Sequence, residues 1–155
     1  MEIREYREND DEGISKLHEE FFLEFFSEFN FNYTEAEWEL ELHQIHSSKN
    51  KGKFWVIDEN NEIIGLVGVI LMGDSTAELK RMRVKSSYRG RGLGKKLLKT
   101  VEDYCKGLGI TKIVLSTAER LTTARRMYER SGFELIEKRE FSMPKFTICF
   151  YRKYL

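Results

Sequence analysis

Apolar residues recur along the chain at two periods, and the change from one to the other organises it. Met1 to Arg7 alternates and predicts a first strand. Asn9-Asp10-Asp11 then offers helix caps, because a short side-chain oxygen can take up a free N–H of a first turn. Phe21, Phe22, Phe25, Phe26 and Phe29 follow at spacings of one, three, one and three, one broad helical face with Glu20, Glu24 and Glu28 mainly elsewhere. A face of five phenylalanines predicts that some of them are core. Thr34-Glu35-Ala36-Glu37 fits a capping box and predicts a second helix to about Ile45. From Gly52 the period shortens. Strands are predicted at Phe54–Ile57, Ile63–Met72 and Ala77–Val84, with Asp58-Glu59-Asn60-Asn61 as a turn. Gly90–Lys106 is predicted helical, with Leu93, Leu97, Leu98, Val101 and Cys105 facing inward. A short strand at Lys112–Ser116 and a helix at Glu119–Ser131 come next. Strands at Phe133–Phe141 and Phe146–Tyr154 close the chain around Pro144, its single proline. The order β-α-α-β-β-β-α-β-α-β-β predicts a mixed α/β (α+β) fold, one domain over residues 1–155.

Composition narrows the class. Hydrophobic residues make up 41% of the 155 and aromatics 13%, enough for a packed interior rather than disorder. No stretch approaches the roughly 20 apolar residues of a membrane span, so no membrane partner is expected. The charged start Met1-Glu2-Ile3-Arg4-Glu5 shows no signal peptide. Cys105 and Cys149 form neither a CxxC nor a disulfide ladder, which predicts a reducing, cytoplasmic setting. Net charge is zero but unevenly spread. Residues 1–45 carry 14 acidic and three basic side chains, and the rest carry 12 acidic and 23 basic. Such a chain could take a cation on one face and an anion on another; two solvated faces are the plain alternative.

The chemistry concentrates in Tyr88-Arg89-Gly90-Arg91-Gly92-Leu93-Gly94-Lys95-Lys96, which follows a strand and opens a helix. A glycine-rich turn at a helix N-terminus aims backbone N–H groups outward as a nest for phosphate. Glycine permits both close approach and positive φ, and the surrounding Arg and Lys add mobile charge. A Walker A loop does not fit: Gly90 to Lys95 is one residue short, and Lys96 stands where Ser or Thr is needed. GxGxxG fails at Lys95. Arg89-x-x-Gly92-x-Gly94 does fit Gln/Arg-x-x-Gly-x-Gly/Ala, and here the chain resembles the GNAT superfamily of N-acetyltransferases. Glu78-Leu79-Lys80-Arg81-Met82-Arg83-Val84 sits where that family has its fourth strand. Ala124 followed by Tyr128-Glu129-Arg130-Ser131-Gly132-Phe133 resembles its C-terminal segment. A family asparagine three residues before the alanine is replaced by Leu121.

The resemblance implies a mostly antiparallel sheet of about seven strands with about four helices, and acetyl-CoA as co-substrate without a metal. It implies that the pantetheine arm pairs with the backbone of Met82, Arg83 and Val84, where a strand bulge supplies an oxyanion-binding N–H. The phosphates then fall on Arg89, Gly90, Arg91, Gly92, Leu93, Gly94 and Lys95. An alkyl ammonium of pKa about 10.4 must lose a proton before attack, at a cost of about 4–5 kcal/mol at pH 7, so a base is needed. Glu78, 11 residues before Arg89, is the candidate base; a strand-end carboxylate paired with a lysine is the alternative. Tyr128 is the candidate acid for the leaving thiolate; a core aromatic is the alternative.

The acceptor is expected to be an amine, in a small molecule or a peptide. Phe31, Tyr33 and Trp38 would form an apolar wall, and the acidic front with Glu19, Glu20, Glu24, Glu28, Glu35, Glu37, Glu39 and Glu41 would favour a polyamine, a diamine or a basic peptide. A protein N-terminal or lysine acetyltransferase, or a non-catalytic coenzyme A-binding regulator, would use the same groove. His43-x-x-His46 near Glu39 has a spacing that could hold a metal, but a surface helix explains it as well. Nine Lys and Arg between Lys80 and Lys99 suit the anionic cofactor better than nucleic acid. Cys105, on an inner face, reads as structural, and Phe146–Tyr154 could pair strands across a homodimer.

Overall fold

The computed structural model describes residues 1–28, 43, 51–143 and 145–155. Seven strands form one sheet: β1 (Glu2–Glu5), β2 (Gly52–Glu59), β3 (Glu62–Gly73), β4 (Thr76–Val84), β5 (Lys112–Ala118), β6 (Glu134–Ser142) and β7 (Lys145–Tyr154). The α-helices whose bounds fall among the described residues are α1 (Asp11–Phe25), α2 (Leu93–Gly107) and α3 (Thr122–Arg130). The helix expected from Thr34 lies, His43 apart, outside the described residues.

The sheet order is β1-β2-β3-β4-β5-β7-β6, with every neighbouring pair antiparallel except the parallel β4–β5. The β2–β3 hairpin turns through Asn60 and Asn61 at φ 51° and 65°, a left-handed pair that asparagine tolerates. At its far end β7 lies between β5 and β6 and is paired on both sides. It therefore cannot extend a sheet across a dimer as the sequence suggested; the outer strand is β6.

Two cores sandwich the sheet. On one face Ile14 and Leu17 of α1 pack on Phe54, Val56 and Leu66. On the other, Leu93, Leu97, Leu98, Val101 and Cys105 of α2, all five inward positions of the sequence pattern, join Tyr128 of α3 and the sheet residues Val67, Val69, Ala77 and Leu79. Alternation along each strand sends successive side chains to these two cores.

The phenylalanine run departs from expectation. Phe21, Phe22, Phe25 and Phe26 are only half-buried, and Phe29 lies outside the described residues. The buried positions of α1 are Ile14, Leu17 and His18, one to two turns earlier. The helix leaves the core as it advances, and Phe21 and Phe25 at its aromatic end line a cleft beside β4. Its start differs too. Asp10 is the cap residue, but its carboxylate accepts from Arg7 N at 2.8 Å and from the Arg4 guanidinium at 2.8 and 2.9 Å, not from the first turn of α1.

Candidate functional site

β4 and β5 pair at Thr76–Lys112, Ala77–Ile113 and Glu78–Val114, and there the pairing stops. β5 stays bonded to β7 through Ala118, while β4 follows β3. The two strands part from Glu78 onward, which opens a cleft of about 790 Å³. The cause of the parting lies partly in β4 itself. Leu66 pairs with Arg83 and Gly68 with Lys80, so β4 carries one residue more than β3 over this span. The extra residue falls at Arg81 to Met82, and Arg81 holds φ at 57°.

That bulge reverses the alternation. Before it, Ala77 and Leu79 face the α2–α3 core, and Glu78 points the other way. After it, Met82 and Val84 pack on the α2–α3 core, and Arg83 turns to α1. Its Cζ lies 3.7 Å from the ring centre of Phe21, and Nη1 donates to Met82 O at 2.9 Å.

At the far side of the cleft Gly90 and Gly92 both hold φ at 77°. A Cβ built on either meets nothing within 4 Å, so these positions are glycine for backbone conformation and leave the turn open for a ligand. Gly92 caps α2, whose first N–H groups face the cleft; Leu93 gives its backbone there while its side chain is core. Gly94 differs: an added Cβ would sit 2.8 Å from Sδ of Met127 on α3. Such an open turn on a helix N-terminus, continuous with a bare strand edge, fits the pyrophosphate and pantetheine of coenzyme A.

Tyr128 is only 4% exposed and lines the cleft from the α2–α3 side, with its ring edge-on to Phe133 at 5.8 Å. Burial pushes its phenol up to about 12, against a smaller opposing pull from Arg83. The two readings of this residue, core aromatic and acid, are thus compatible. Glu78 lines the same cleft and is 4.0 Å from Lys80 Nζ. Acid and base candidates therefore flank β4 from opposite faces at the point where the strands part.

Met82, Val84 and Lys95 also line the cleft. Arg89 lines it but is turned away from the glycine turn: Nε donates to Val84 O at 3.0 Å, and Nη1 meets Glu24 Oε1 of α1 at 2.5 Å. Arg91 stands outside it, folded over the Tyr88 ring at 4.9 Å. Phe31, Tyr33 and Trp38 lie outside the described residues, as do Glu39 and His46; His43 Nε2 meets Asp11 Oδ2 at 2.8 Å. Cys105 is fully buried, and burial pushes its thiol up to about 11, well away from a nucleophilic thiolate.

Sequence reasoning missed Arg120. From the β5–α3 connection its Nη1 donates to Phe25 O at 3.0 Å and pairs with Glu28. Arg89 and Arg120, one on each side of the parted strands, thus hold the end of α1 across the cleft. Leu121, at the position of the family asparagine, caps α3 without a side-chain bond, and Thr122 and Thr123 beside it line the cleft. Arg81 was legible after all: Leu79, Met82 and Val84 are apolar at spacings of three and then two, the mark of a bulge in an alternating strand.

Fold and site together define an α/β domain with a cleft between parted strands, lined by an open glycine turn, a carboxylate and a phenol. The chain belongs to the acetyltransferase (GNAT) family, whose model matches residues 14–133. An acetyltransferase of that family from Staphylococcus aureus Mu50 superposes with a TM-score of 0.81 at 30% identity, covering 99% of this chain and 98% of that one. The uncharacterised N-acetyltransferase YjgM of Escherichia coli K12 is 32% identical over 68% of this chain and 65% of its own length. N-acetyltransferase 8F1 of Rattus norvegicus is 31% identical over 59% of this chain and 44% of its own length. This chain thus spans about half the length of several such relatives.

Proposed function

We propose that this chain is an acetyl-CoA-dependent N-acetyltransferase that acts by direct attack of a primary amine within a ternary complex. The parting of β4 and β5 at Glu78, beside the open Gly90–Gly94 turn, carries the reading. Glu78, directly or through a water, takes the proton of the ammonium. The amine nitrogen then bonds to the acetyl carbon, the carbon–sulfur bond breaks, Tyr128 protonates the departing thiolate, and the acylated nitrogen gives up its surplus proton to water. The burial that raises the phenol keeps its proton on Tyr128 at neutral pH, where it can be given to the thiolate. In this reading the backbone N–H groups at the Arg81–Met82 bulge polarise the thioester carbonyl, a role that the register shift there supports. Glu78 and Tyr128 return to their resting forms by exchange with solvent.

The test is release of free thiol from acetyl-CoA with a panel of amines, peptides with free N-termini and lysine peptides. Turnover with peptides alone would point to a protein acetyltransferase. Tight coenzyme A binding without turnover on any acceptor would favour a regulator. Glu78→Gln is expected to lower the rate most at low pH, where deprotonating the amine is hardest; parallel pH–rate profiles would remove Glu78 as base. The expected preference for a cationic acceptor draws little support from the described wall. Glu24 is paired with Arg89 and Glu28 with Arg120, Glu20 lies 4.0 Å from Lys85, and the remaining helix glutamates from Glu35 to Glu41 are outside the described residues.

A further inference from the structure

We propose that Tyr151 is a positioning residue for Tyr128, and that Arg125 and Glu129 clamp its hydroxyl to set the angle at which α3 presents the acid to the cleft. This rests on reading the cleft as an acetyltransferase site with Tyr128 as its acid. α3 has nine residues, all of them described, and Tyr128 alone among them is buried. Ala124 and Met127 beside it are half-buried against the α2–α3 core. So narrow an apolar stripe fixes the rotation of a helix about its own axis poorly. Among the described residues no hydrogen bond holds the Tyr128 hydroxyl itself, so its aim follows the helix. A side-chain tip stands roughly 5–6 Å from a helix axis, so a turn of about 20° moves it by about 2 Å. Misplacement by about 1 Å is enough to cost about 10²-fold in rate.

Polar groups supply what packing does not. Tyr151 of β7 is fully buried, and its ring centre lies 6.4 Å from that of Tyr128. Its hydroxyl accepts from Arg125 Nε at 2.9 Å and donates to Glu129 Oε1 at 2.7 Å. Arg125 and Glu129 stand at i and i+4 on one face of α3, so one oxygen of the sheet engages two successive turns. Nη1 of Arg125 also donates to Glu119 O at 3.3 Å, and Glu119 N donates to Thr147 O of β7 at 2.9 Å. Both bonds of the hydroxyl involve a charged partner, and each has a direction, which apolar contacts lack. Tyr128 precedes Glu129 by one residue, about 100° round the helix. The angle that seats Glu129 on Tyr151 therefore also sets the direction of the phenol.

The test is a double-variant cycle on kcat in the thiol-release assay. Tyr151→Phe is expected to lower kcat about tenfold or more while the KM for acetyl-CoA stays within about twofold. In Tyr128→Phe the same change is expected to cost less than about twofold, because the hydroxyl it aims is already gone. Arg125→Met and Glu129→Leu break the clamp from the helix side, leave the buried tyrosine in place, and should behave alike. Glu129→Gln keeps the acceptor oxygen and should retain most of the rate. Losses that multiply in the cycle, or a Glu129→Gln defect equal to that of Glu129→Leu, would overturn the proposal. Fluorine resonance of the protein with 3-fluorotyrosine at position 128, saturated with coenzyme A, reads the position of the ring without chemistry. One sharp resonance is expected to shift or broaden in Arg125→Met and in Glu129→Leu; a resonance unchanged in both would equally overturn the proposal. A moved resonance with wild-type kcat in Tyr128→Phe would sink the acid and keep the positioning. A slow Tyr128→Phe whose loss multiplies with that of Tyr151→Phe would do the reverse.

Discussion

At the scale of single residues, Tyr128 and His18 show what burial does to a titratable group. Tyr128→Phe removes one hydroxyl and almost no volume. A fall in kcat of about 10²-fold with unchanged coenzyme A affinity is expected, and a kcat equal to wild type would return Tyr128 to a purely structural role. With the phenol pushed up to about 12, the wild-type rate is not expected to decline between pH 8 and 10 through loss of this proton. His18 is held the other way. Burial, followed by Arg83 and Arg81, depresses its imidazole to about 3. The folded state keeps it neutral where the unfolded chain protonates near pH 6.5, so stability is full above that pH and declines as pH falls towards 3. Replacing His18 with leucine is expected to flatten the dependence of unfolding free energy on pH in this window by close to one proton. An unchanged slope would show that other groups dominate the acid response. Spacing from the glycine motifs, read through the family resemblance, singled out Tyr128 and Glu78 as candidates, and both line the cleft. It did not show that they face opposite sides of β4. That depends on register with β3, a relation between distant segments that local spacing does not contain.

At the scale of elements, two glycines of one motif have different duties. Gly92 must hold a left-handed φ, whereas Gly94 must leave room for Met127. Gly92→Val is expected to weaken acetyl-CoA binding at least about tenfold, roughly 1.4 kcal/mol, through the strained turn. Gly94→Ala should cost less, because the Met127 side chain can move, and Met127→Ala should restore what it loses. Equal defects in both single variants, or no rescue in the double variant, would contradict this division; calorimetry reads both. The same φ values explain why α2 starts at Leu93 and not at Gly90, where the hydrophobic period placed it. Two residues in left-handed conformation cannot belong to a right-handed helix. The phenylalanine run misled for a related reason. Its period is helical and α1 is a helix there, but periodicity cannot say whether the facing surface is a core or the open side of a cleft.

At the scale of the whole molecule, strand order was not legible, since the sequence names elements but not neighbours. The single parallel pair in an otherwise antiparallel sheet is what creates the slot. A ligand that bridges both of its sides should stabilise the fold by mass action, by about 2.7 kcal/mol at a hundred times its dissociation constant. Coenzyme A is therefore expected to raise the melting temperature of Tyr128→Phe as much as that of wild type, and that of Gly92→Val less at equal concentration. A smaller shift in Tyr128→Phe would mean that the hydroxyl serves binding. The parted strands also bear on solubility. Between Lys80 and Val84, β4 offers a run of backbone without a β5 partner, and a bare edge can recruit an extended segment of another molecule. Lys80, Arg81 and Arg83 belong to that run, and charge along it is expected to keep sister chains from zipping onto it in concentrated solution. Neutralising both arginines should make the protein clump faster on warming, and coenzyme A should suppress the clumping more than adenosine 3′,5′-bisphosphate, which reaches only the phosphate end. The charged side chains of β4 would then also guard the slot against the protein's own kind.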